Sequence, residues 1–279
     1  SCRKLVGRKY AFSTDTEIYI YNVESGECQV IDMKGGYDTD PVWSPDGSKI
    51  AWISMERDGY EADKQRLMMA YVDWTKGDPM IWGITDATED FKYNAAGPVW
   101  SADSKNIYFN SLAEGVQGMF VAKGPDFDAP AGSKIKPAPW KVERITGEDM
   151  WYDFGSPFHV AENEDGSTTL YTTWCSMDFP TELVAVTVAD GPKAAATGKK
   201  ALKAECPVTD KAVSYNQITN ENEHILSQLS GHETEARYVK TVDGKDMLTW
   251  VLLPPGFDQS KVYPSILICL GGPQGTLSQ

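Results

Sequence analysis

The chain lacks the cysteine and histidine patterns that define metal-binding and disulfide-stapled proteins. Its five cysteines lie far apart, with no CxxC pair and no Cys/His cluster, so neither a zinc site nor any other metal site is predicted. An odd number of thiols also excludes a complete set of disulfides, and the redox compartment stays open. Cys269 lies within an apolar run, and we expect it to be a small buried side chain.

Positive charge is scarce and long apolar runs are absent. With 26 Lys and Arg against 40 Asp and Glu, the net charge of −14 argues against nucleic acid or an anionic membrane as the main partner. No apolar run reaches the roughly 18 residues of a membrane span, and no signal peptide is recognisable. The three histidines lie in or just after the repeats described next, and we expect them to be surface or hydrogen-bonded side chains: His159, His224 and His232.

Aromatic residues, by contrast, are plentiful, and one pattern recurs. "PVWSPDGSKIAW" (41–52) returns as "PVWSADSKNIYF" (98–109), an offset of 57 residues, and weaker copies follow at 156–174 and 215–229. Each copy has a short apolar strand, a polar turn and an alternating strand, and further strand-like runs come behind it. About four short antiparallel strands per repeat predict an all-β fold made of β-propeller blades.

The repeat also predicts how the chain is organised. Four copies indicate four full blades, and residues 1–33 have the later strands of a partial one. A two-sheet sandwich with recurring strand spacing is the alternative fold. Because four blades and a fragment are typical of an arc of a larger ring, we expect residues 1–237 to be a partial propeller, cut at the N-terminus.

The pattern changes in the last forty residues. "DGKDMLTWVLLPPGFDQSKVYPSILICLGGPQG" (243–275) has a hairpin turn at Asp243-Gly244, and it ends in a fully apolar strand followed by glycines, which predicts a sheet buried on both faces. With the "WSPDG" blades and "MERDGYEADKQRLMMAYVD" (55–73), this stretch resembles the prolyl oligopeptidase family of serine peptidases, in its acylaminoacyl peptidase and dipeptidyl peptidase 5 branch. The resemblance implies that residues 238–279 are the start of a truncated α/β-hydrolase domain.

The resemblance implies a serine exopeptidase, dipeptidyl or acylaminoacyl peptidase-like, whose propeller gates the access of short peptides to the hydrolase domain. It implies peptide substrates, no cofactor, and a periplasmic or secreted location, and it allows a homo-oligomer. Two alternatives are a TolB-like propeller that binds another protein without chemistry, and a scaffold within a larger secreted complex. Because the chain has no Gly-x-Ser-x-Gly motif, no Ser/Asp/His triad can be assembled and the chain itself is predicted to be inactive.

One group of candidate site residues follows the apolar strand. In relatives this loop helps to build the oxyanion hole, which implies a role for Leu270, Gly271 and Gly272. Leucine has no side-chain donor, so a backbone N–H at the glycines would have to serve. The alternative is that the glycines only turn the chain away from the sheet.

The second group lies on the "RDGYEADKQR" loop (57–66). Glu61 and Asp63 are candidates for pairing with the free α-amine of a substrate, as aminopeptidase specificity requires. The alternative is a solvated loop whose basic residues pair locally with these carboxylates.

Overall fold

The fold is that of a computed structural model. It describes residues 2–4, 7–31, 33, 35–75, 77–127, 129–135, 137–191, 199, 205–269 and 278, without the side chains of 2–4, 9 and 10. The helices of this part of the chain are a 3-10 turn (Gly7–Ala11) and a single α turn, α1 (Glu223–Leu226). All other regular elements in it are strands: β1 (Cys2–Lys4), β2 (Thr16–Tyr21), β3 (Cys28–Ile31), β4 (Tyr37–Trp43), β5 (Lys49–Met55), β6 (Arg66–Asp73), β7 (Met80–Asp86), β8 (Ala96–Trp100), β9 (Asn106–Ala113), β10 (Val116–Lys123), β11 (Lys141–Arg144), β12 (Asp153–Phe154), β13 (His159–Glu162), β14 (Thr168–Ser176), β15 (Phe179–Ala189), β16 (Ala212–Gln217), β17 (Glu233–Lys240) and β18 (Asp246–Leu253).

The strands form meanders with the order of propeller blades, which confirms the predicted all-β class. Blade 1 is β4 to β7, blade 2 is β8 to β11, and blade 3 is β12 to β16, in which β12 and β13 both pair with β14. The strands β1 to β3 form a fragment that joins blade 1 through the parallel pair Thr16–Tyr37. The strands β17 and β18 form a separate two-stranded hairpin.

Neighbouring blades pack face to face, and the period-two pattern of their strands divides side chains between two cores. In β5, Ala51 and Ile53 belong to the core shared with blade 2, where they join Phe109. The alternate residues of the same strand, Ile50 and Trp52, belong to the core shared with the fragment. The alternation therefore buries both faces of a central blade rather than leaving one face outside, because a sheet lies on either side of it.

The proline of the first two repeats lies at a bulge in the inner strand of its blade. Pro41 and Pro98 each follow a residue in the left-handed region, Asp40 (φ 53°) and Gly97 (φ 55°), and the strand register shifts at both places. Proline has no N–H for a ladder, so edge strands and bulges are where a sheet accepts it. The "PV" of the motif thus marks the bulge of an inner edge strand.

The polar turns of the repeat share one hydrogen-bonding pattern. A serine hydroxyl donates to the carboxylate of an aspartate two residues later at 2.6 Å in both Ser44–Asp46 and Ser101–Asp103. In the third copy the order is reversed, and Ser167 donates to Asp165 at 2.6 Å. Burial opposes ionisation of Asp46, but the hydrogen bonds from Ser44 and Ser48 lower its pKa to about 2. These contacts confirm the turns that the first three copies predicted.

The fourth copy does not form a strand–turn–strand unit, so the prediction of a blade beginning there is wrong. Tyr215 pairs with Val186 in β16, the outer strand of blade 3. The following residues turn into α1, which binds its own backbone and has no buried side chain. The segment "ENEHIL" lacks the β-branched alternation of the other copies, which leaves local helical bonds as the available partners.

Two other local predictions are also wrong. The apolar run 264–269 forms no strand, and its side chains are exposed: Ile266 is 90% and Leu267 82% exposed. Cys269 is exposed too, not buried. No described strand lies beside this run, and a strand cannot bury its faces without neighbouring layers. Within residues 1–33, where later strands of a partial blade were predicted, Gly7–Ala11 forms a 3-10 turn and not a strand.

Candidate functional site

One face of the blades is defined by the turns between their second and third strands. These turns are residues 56–65 in blade 1, 114–115 in blade 2 and 177–178 in blade 3. Because the strands are antiparallel, the connections that leave the outer strands begin at the same end of each blade. We call this end the hairpin face, because the hairpin β17–β18 packs there.

The hairpin β17–β18 is seated on blades 2 and 3 by aromatic contacts. Trp250 meets Trp151 edge to face, with ring centroids 5.2 Å apart. Val116 and Ala236 complete this small core. Gly115 faces the side chains of Leu248 and Trp250, and a Cβ there would lie 2.3 Å from the Leu248 side chain. The turn of blade 2 is therefore built without a side chain where the hairpin lies on it.

Carboxylates of blade 3 tie down the chain that leads to this hairpin. Glu182 is buried and accepts hydrogen bonds from the Thr219 hydroxyl and from the backbone N–H of Glu221 at 3.1 Å. Closer to the hairpin, His232 Nδ1 lies 3.4 Å from Asp178. Both contacts fix the approach of the chain to the hairpin face.

The loop 56–65 carries the predicted amine-binding residues, and an ion pair closes its base. Arg57 Nε lies 3.0 Å from both carboxylate oxygens of Asp63, and the Arg57 backbone N–H donates to Asp63 at 2.9 Å. The Arg57 guanidinium also lies 3.9 Å over the ring of Tyr60. Hydrogen bonds from Arg57 hold the pKa of Asp63 below its usual range. Asp63 is thus satisfied within the loop.

A second carboxylate joins the loop to the segment before β2. One oxygen of Asp58 accepts from the Ser13 hydroxyl at 2.7 Å and from the backbone N–H groups of Thr14 and Asp15 at 2.8 and 3.1 Å. In return the Gly59 N–H donates to the Thr14 hydroxyl at 2.9 Å. The hydrogen bond from Ser13 is the main reason that the pKa of Asp58 is lowered. Sequence analysis missed this residue, although "RDGY" is a typical turn sequence.

The C-terminal end of the loop is bound to the connection between blades 1 and 2. Lys64 Nζ donates to the Thr88 carbonyl oxygen at 2.6 Å, and the Gln65 N–H donates to Asn94 at 3.0 Å. Burial lowers the pKa of Lys64. The loop therefore touches the fragment on one side and the next blade's connection on the other.

The predicted amine-binding residues differ in their surroundings. Glu61 is exposed, and among the described residues no hydrogen bond or ion pair engages its carboxylate. Asp63 is 11% exposed at its side chain and is engaged by Arg57. The role of both residues toward a substrate amine stays a prediction.

The other predicted positions do not form a catalytic centre in the described part of the chain. Leu270, Gly271 and Gly272 lie outside the described residues. His159 is exposed beside Tyr171, and His224 is exposed in α1. The described residues contain no group of three or more side chains placed to hold a metal ion. Within the same residues, no helix combines the length and apolar character needed to cross a bilayer.

Beneath the loop lies a buried carboxylate that sequence analysis also missed. Asp38, on the inner strand of blade 1, is 1% exposed and accepts from Trp52 Nε1 at 3.0 Å. Its backbone exchanges two hydrogen bonds with the Thr16 hydroxyl, at 2.7 and 2.8 Å. Burial raises the pKa of Asp38 to about 6, against the hydrogen bonds from Ser54 and Trp52. Asp38 thus links blade 1 to the fragment.

A cavity of about 330 Å³ lies between blade 2 and the connection that precedes it. An ion pair between Lys92 and Glu205 lies at its edge, and Phe91 and Trp140 form an apolar wall. Burial raises the pKa of the lining Cys206 thiol to about 11, so this sulfur is not an activated nucleophile.

The blades and their seated hairpin define a strand-rich propeller-type region, as the resemblance to prolyl oligopeptidase-type peptidases implied. A dipeptidyl-peptidase 5 from Porphyromonas gingivalis is 37% identical over 279 residues, covering 99% of this chain and 33% of that protein. A second dipeptidyl-peptidase 5, from Porphyromonas endodontalis, is 37% identical over 278 residues with the same coverage. The chain is thus a homologue of the dipeptidyl-peptidase 5 proteins, which confirms the predicted resemblance.

The relationship concerns part of those relatives, because the chain spans about a third of their length. Among solved structures, a putative dipeptidyl aminopeptidase IV from Bacteroides ovatus aligns with 90% of this chain and 39% of its own, at 13% identity and a TM-score of 0.35. No protein-family profile matches the chain.

Proposed function

We propose that this chain is the non-catalytic propeller portion of a serine exopeptidase that acts on short peptides. The observation that carries the proposal is the homology to dipeptidyl-peptidase 5 over nearly the whole chain. The names of these relatives describe release of dipeptides, a reaction that requires recognition of a free substrate N-terminus. The proposed location is the periplasm or the outside of the cell.

The geometry of the hairpin face supports this proposal. The hairpin β17–β18 includes residues that resemble the opening of a hydrolase domain, and it packs at the end of the blades from which the loop 56–65 also emerges. A catalytic domain continuing from the hairpin would therefore lie on the side of the propeller that presents Glu61. The exposed apolar run 264–269 is the kind of sequence that a sheet of such a domain would bury.

The proposed role of the blades is to gate the hydrolase site. Blades packed through continuous apolar cores form a rigid wall, which would admit short extended peptides and exclude folded proteins. The chain itself has no Gly-x-Ser-x-Gly motif, so we expect it to be inactive when expressed alone.

The test is active-site labelling with a fluorophosphonate, applied to the full-length gene product and to the 279-residue chain. We expect the full-length protein to be labelled and to release dipeptides from dipeptidyl p-nitroanilides, and the chain alone to do neither. A full-length protein that is folded but neither labelled nor active would contradict the proposal and favour a TolB-like binding module.

A further inference from the structure

The cavity beside blade 2 is bounded by three separate parts of the chain. Its volume is about 330 Å³, and it is lined by residues of the connection 87–95, by residues 140–143 around the start of β11 and by the first residues of the segment 205–209. Arg144 of β11 exchanges two backbone hydrogen bonds of 2.8 Å with this last segment. The segment is therefore fixed to the edge of the blade like a short additional strand.

The inner wall of the cavity is apolar. Phe91 is 4% and Trp140 8% exposed, and the half-buried Val142 packs against the same core. Burial raises the pKa of the two titratable side chains beside them, Tyr93 and Cys206. An ion would lose its hydration against such a wall, so the wall favours a neutral ligand.

The charged side chains that line the cavity lie toward its edge and pair with other protein groups. Lys92 pairs with Glu205, and both side chains are more than half exposed. Glu143 pairs with Lys123 at 2.6 Å. These charges have partners already, which also argues against an ionic ligand.

One hydrogen-bond donor of the wall has no partner. Trp140 Nε1 is buried and makes no hydrogen bond among the described residues. The other polar groups of the wall are engaged: the Cys206 thiol donates to a backbone carbonyl of β11 at 3.6 Å, and the Tyr93 hydroxyl donates to Glu114. Among the residues that line the cavity, all of them described, only Trp140 has such a donor. An acceptor on a ligand would satisfy it.

The indole ring is held in place before any ligand binds. Trp140 packs edge to face against Trp100, with ring centroids 6.4 Å apart, and its outer edge lies against Gly124, where a Cβ would be 3.0 Å from Trp140 Cη2. An unpartnered donor on a fixed ring needs no ordering when a ligand arrives.

The volume of the cavity sets the size of the ligand. An apolar cavity of about 150 Å³ holds one benzene-sized ring, so a volume of about 330 Å³ has room for two fused rings. It also lies at the lower end of the range of small-molecule sites, which runs from about 300 to 1,000 Å³.

We propose that this cavity is a binding site for a small, neutral, two-ring heteroaromatic molecule, whose acceptor atom takes the hydrogen bond of Trp140 Nε1–H and whose rings lie against Phe91 and Val142. The inference does not rest on the proposed exopeptidase function, because binding is measured without peptide hydrolysis.

The experiment is calorimetric titration of the full-length gene product at pH 8 with two probes of similar size. Isoquinoline is neutral at this pH and has a ring nitrogen that accepts a hydrogen bond, whereas indole has a donor and no comparable acceptor. We expect isoquinoline to bind with a Kd of about 1 mM or below, and indole to bind about tenfold more weakly.

Two variants and a matched control locate the binding. Trp140→Phe keeps an aromatic wall but removes the donor, so isoquinoline should bind about tenfold more weakly, as indole does. Val142→Phe fills the cavity and should abolish binding of both probes. Trp74→Phe is the control, because Trp74 is 46% exposed and its indole N–H already donates to Gly47 at 2.9 Å. It should leave both Kd values unchanged.

The cysteines give a second readout of the same site. Saturating isoquinoline should slow alkylation of Cys206 by N-ethylmaleimide at least about fivefold, since Cys206 lines the cavity, and should leave the exposed Cys28 unaffected. Peptide mass spectrometry measures both rates in one sample.

Three results would overturn the inference. They are the absence of both isoquinoline binding and Cys206 protection, equal affinity of the wild-type protein for isoquinoline and indole, and unchanged isoquinoline binding in a folded Trp140→Phe variant. Circular dichroism and Tm show whether each variant is folded. If Trp140→Phe does not fold, the comparison of the two probes on the wild-type protein still decides the question.

Discussion

At the scale of single residues, Asp38 is a carboxylate that is buried in the fold although no feature of the sequence predicts its burial. In the sequence it is one of three acidic residues close to the start of a repeat, with nothing to distinguish it from Asp40. In the fold it is 1% exposed and receives the indole N–H of Trp52. Burial favours its neutral form, so its protonation is coupled to folding.

This coupling predicts the direction of a pH effect. The pKa of Asp38 is raised from 3.8 to about 6, so its favourable contribution is complete below about pH 4 and is lost as the pH rises through 6. Asp38→Asn has no charge to bury and keeps an acceptor for Trp52. Between pH 5 and pH 8 the variant should therefore gain about 1 kcal/mol relative to wild type.

Urea unfolding of the purified chain at both pH values measures this difference. The comparison between variant and wild type cancels the other titrating groups, which both proteins share. A constant difference across the two pH values would show that Asp38 ionises normally in the fold.

At the scale of the element, the bulge in the inner strand of blades 1 and 2 is a feature that the two copies of the "PV" motif share. The same position has φ near +55° in two blades, occupied by Asp40 in one and by Gly97 in the other. Glycine adopts this conformation without steric cost, whereas other L residues are strained in it. The two blades therefore allow an aspartate and a glycine to be compared at the same backbone conformation.

We expect Asp40→Gly to be neutral or stabilising by up to about 1 kcal/mol, because it relieves strain at a site where the second blade already has glycine. Gly97→Ala should be destabilising by well over 1 kcal/mol, since the new Cβ would lie 1.8 Å from the Ser156 hydroxyl oxygen. Thermal unfolding of the two variants measures both effects. Equal Tm values would contradict the role of the bulge.

At the scale of the whole molecule, the hairpin β17–β18 connects the blades to the proposed catalytic side. Its attachment depends on Trp250 against Trp151 and on the open space above Gly115. The contacts of Glu182 and Asp178 secure only the chain that leads to it. The Trp250 contact is therefore the principal packing link between the hairpin and the blades.

Trp250→Ala should release the hairpin while leaving the blades folded. We expect a loss of about 2 kcal/mol, less than for a fully buried tryptophan because Trp250 is only partly buried. Faster amide exchange in residues 233–253 with unchanged exchange in β5 and β9 would report local release. Met247→Ala, at a side chain 51% exposed on the same hairpin, is the control and should have little effect.

The sequence by itself determined the blade pattern, the Asp-Gly hairpin and the family resemblance, because these depend on local turn chemistry, strand alternation and fixed spacing. Tertiary structure decided the rest. Tyr215 lies in the outer strand of blade 3 because the neighbouring strand, at Val186, supplies backbone hydrogen-bond partners. The apolar run at 264–269 is exposed because no described strand lies beside it. Only the fold shows that Asp63 is paired with Arg57 whereas Glu61 is exposed. Loop geometry, and not composition, also sets the hydrogen bonds by which Asp58 is attached to residues 13–15.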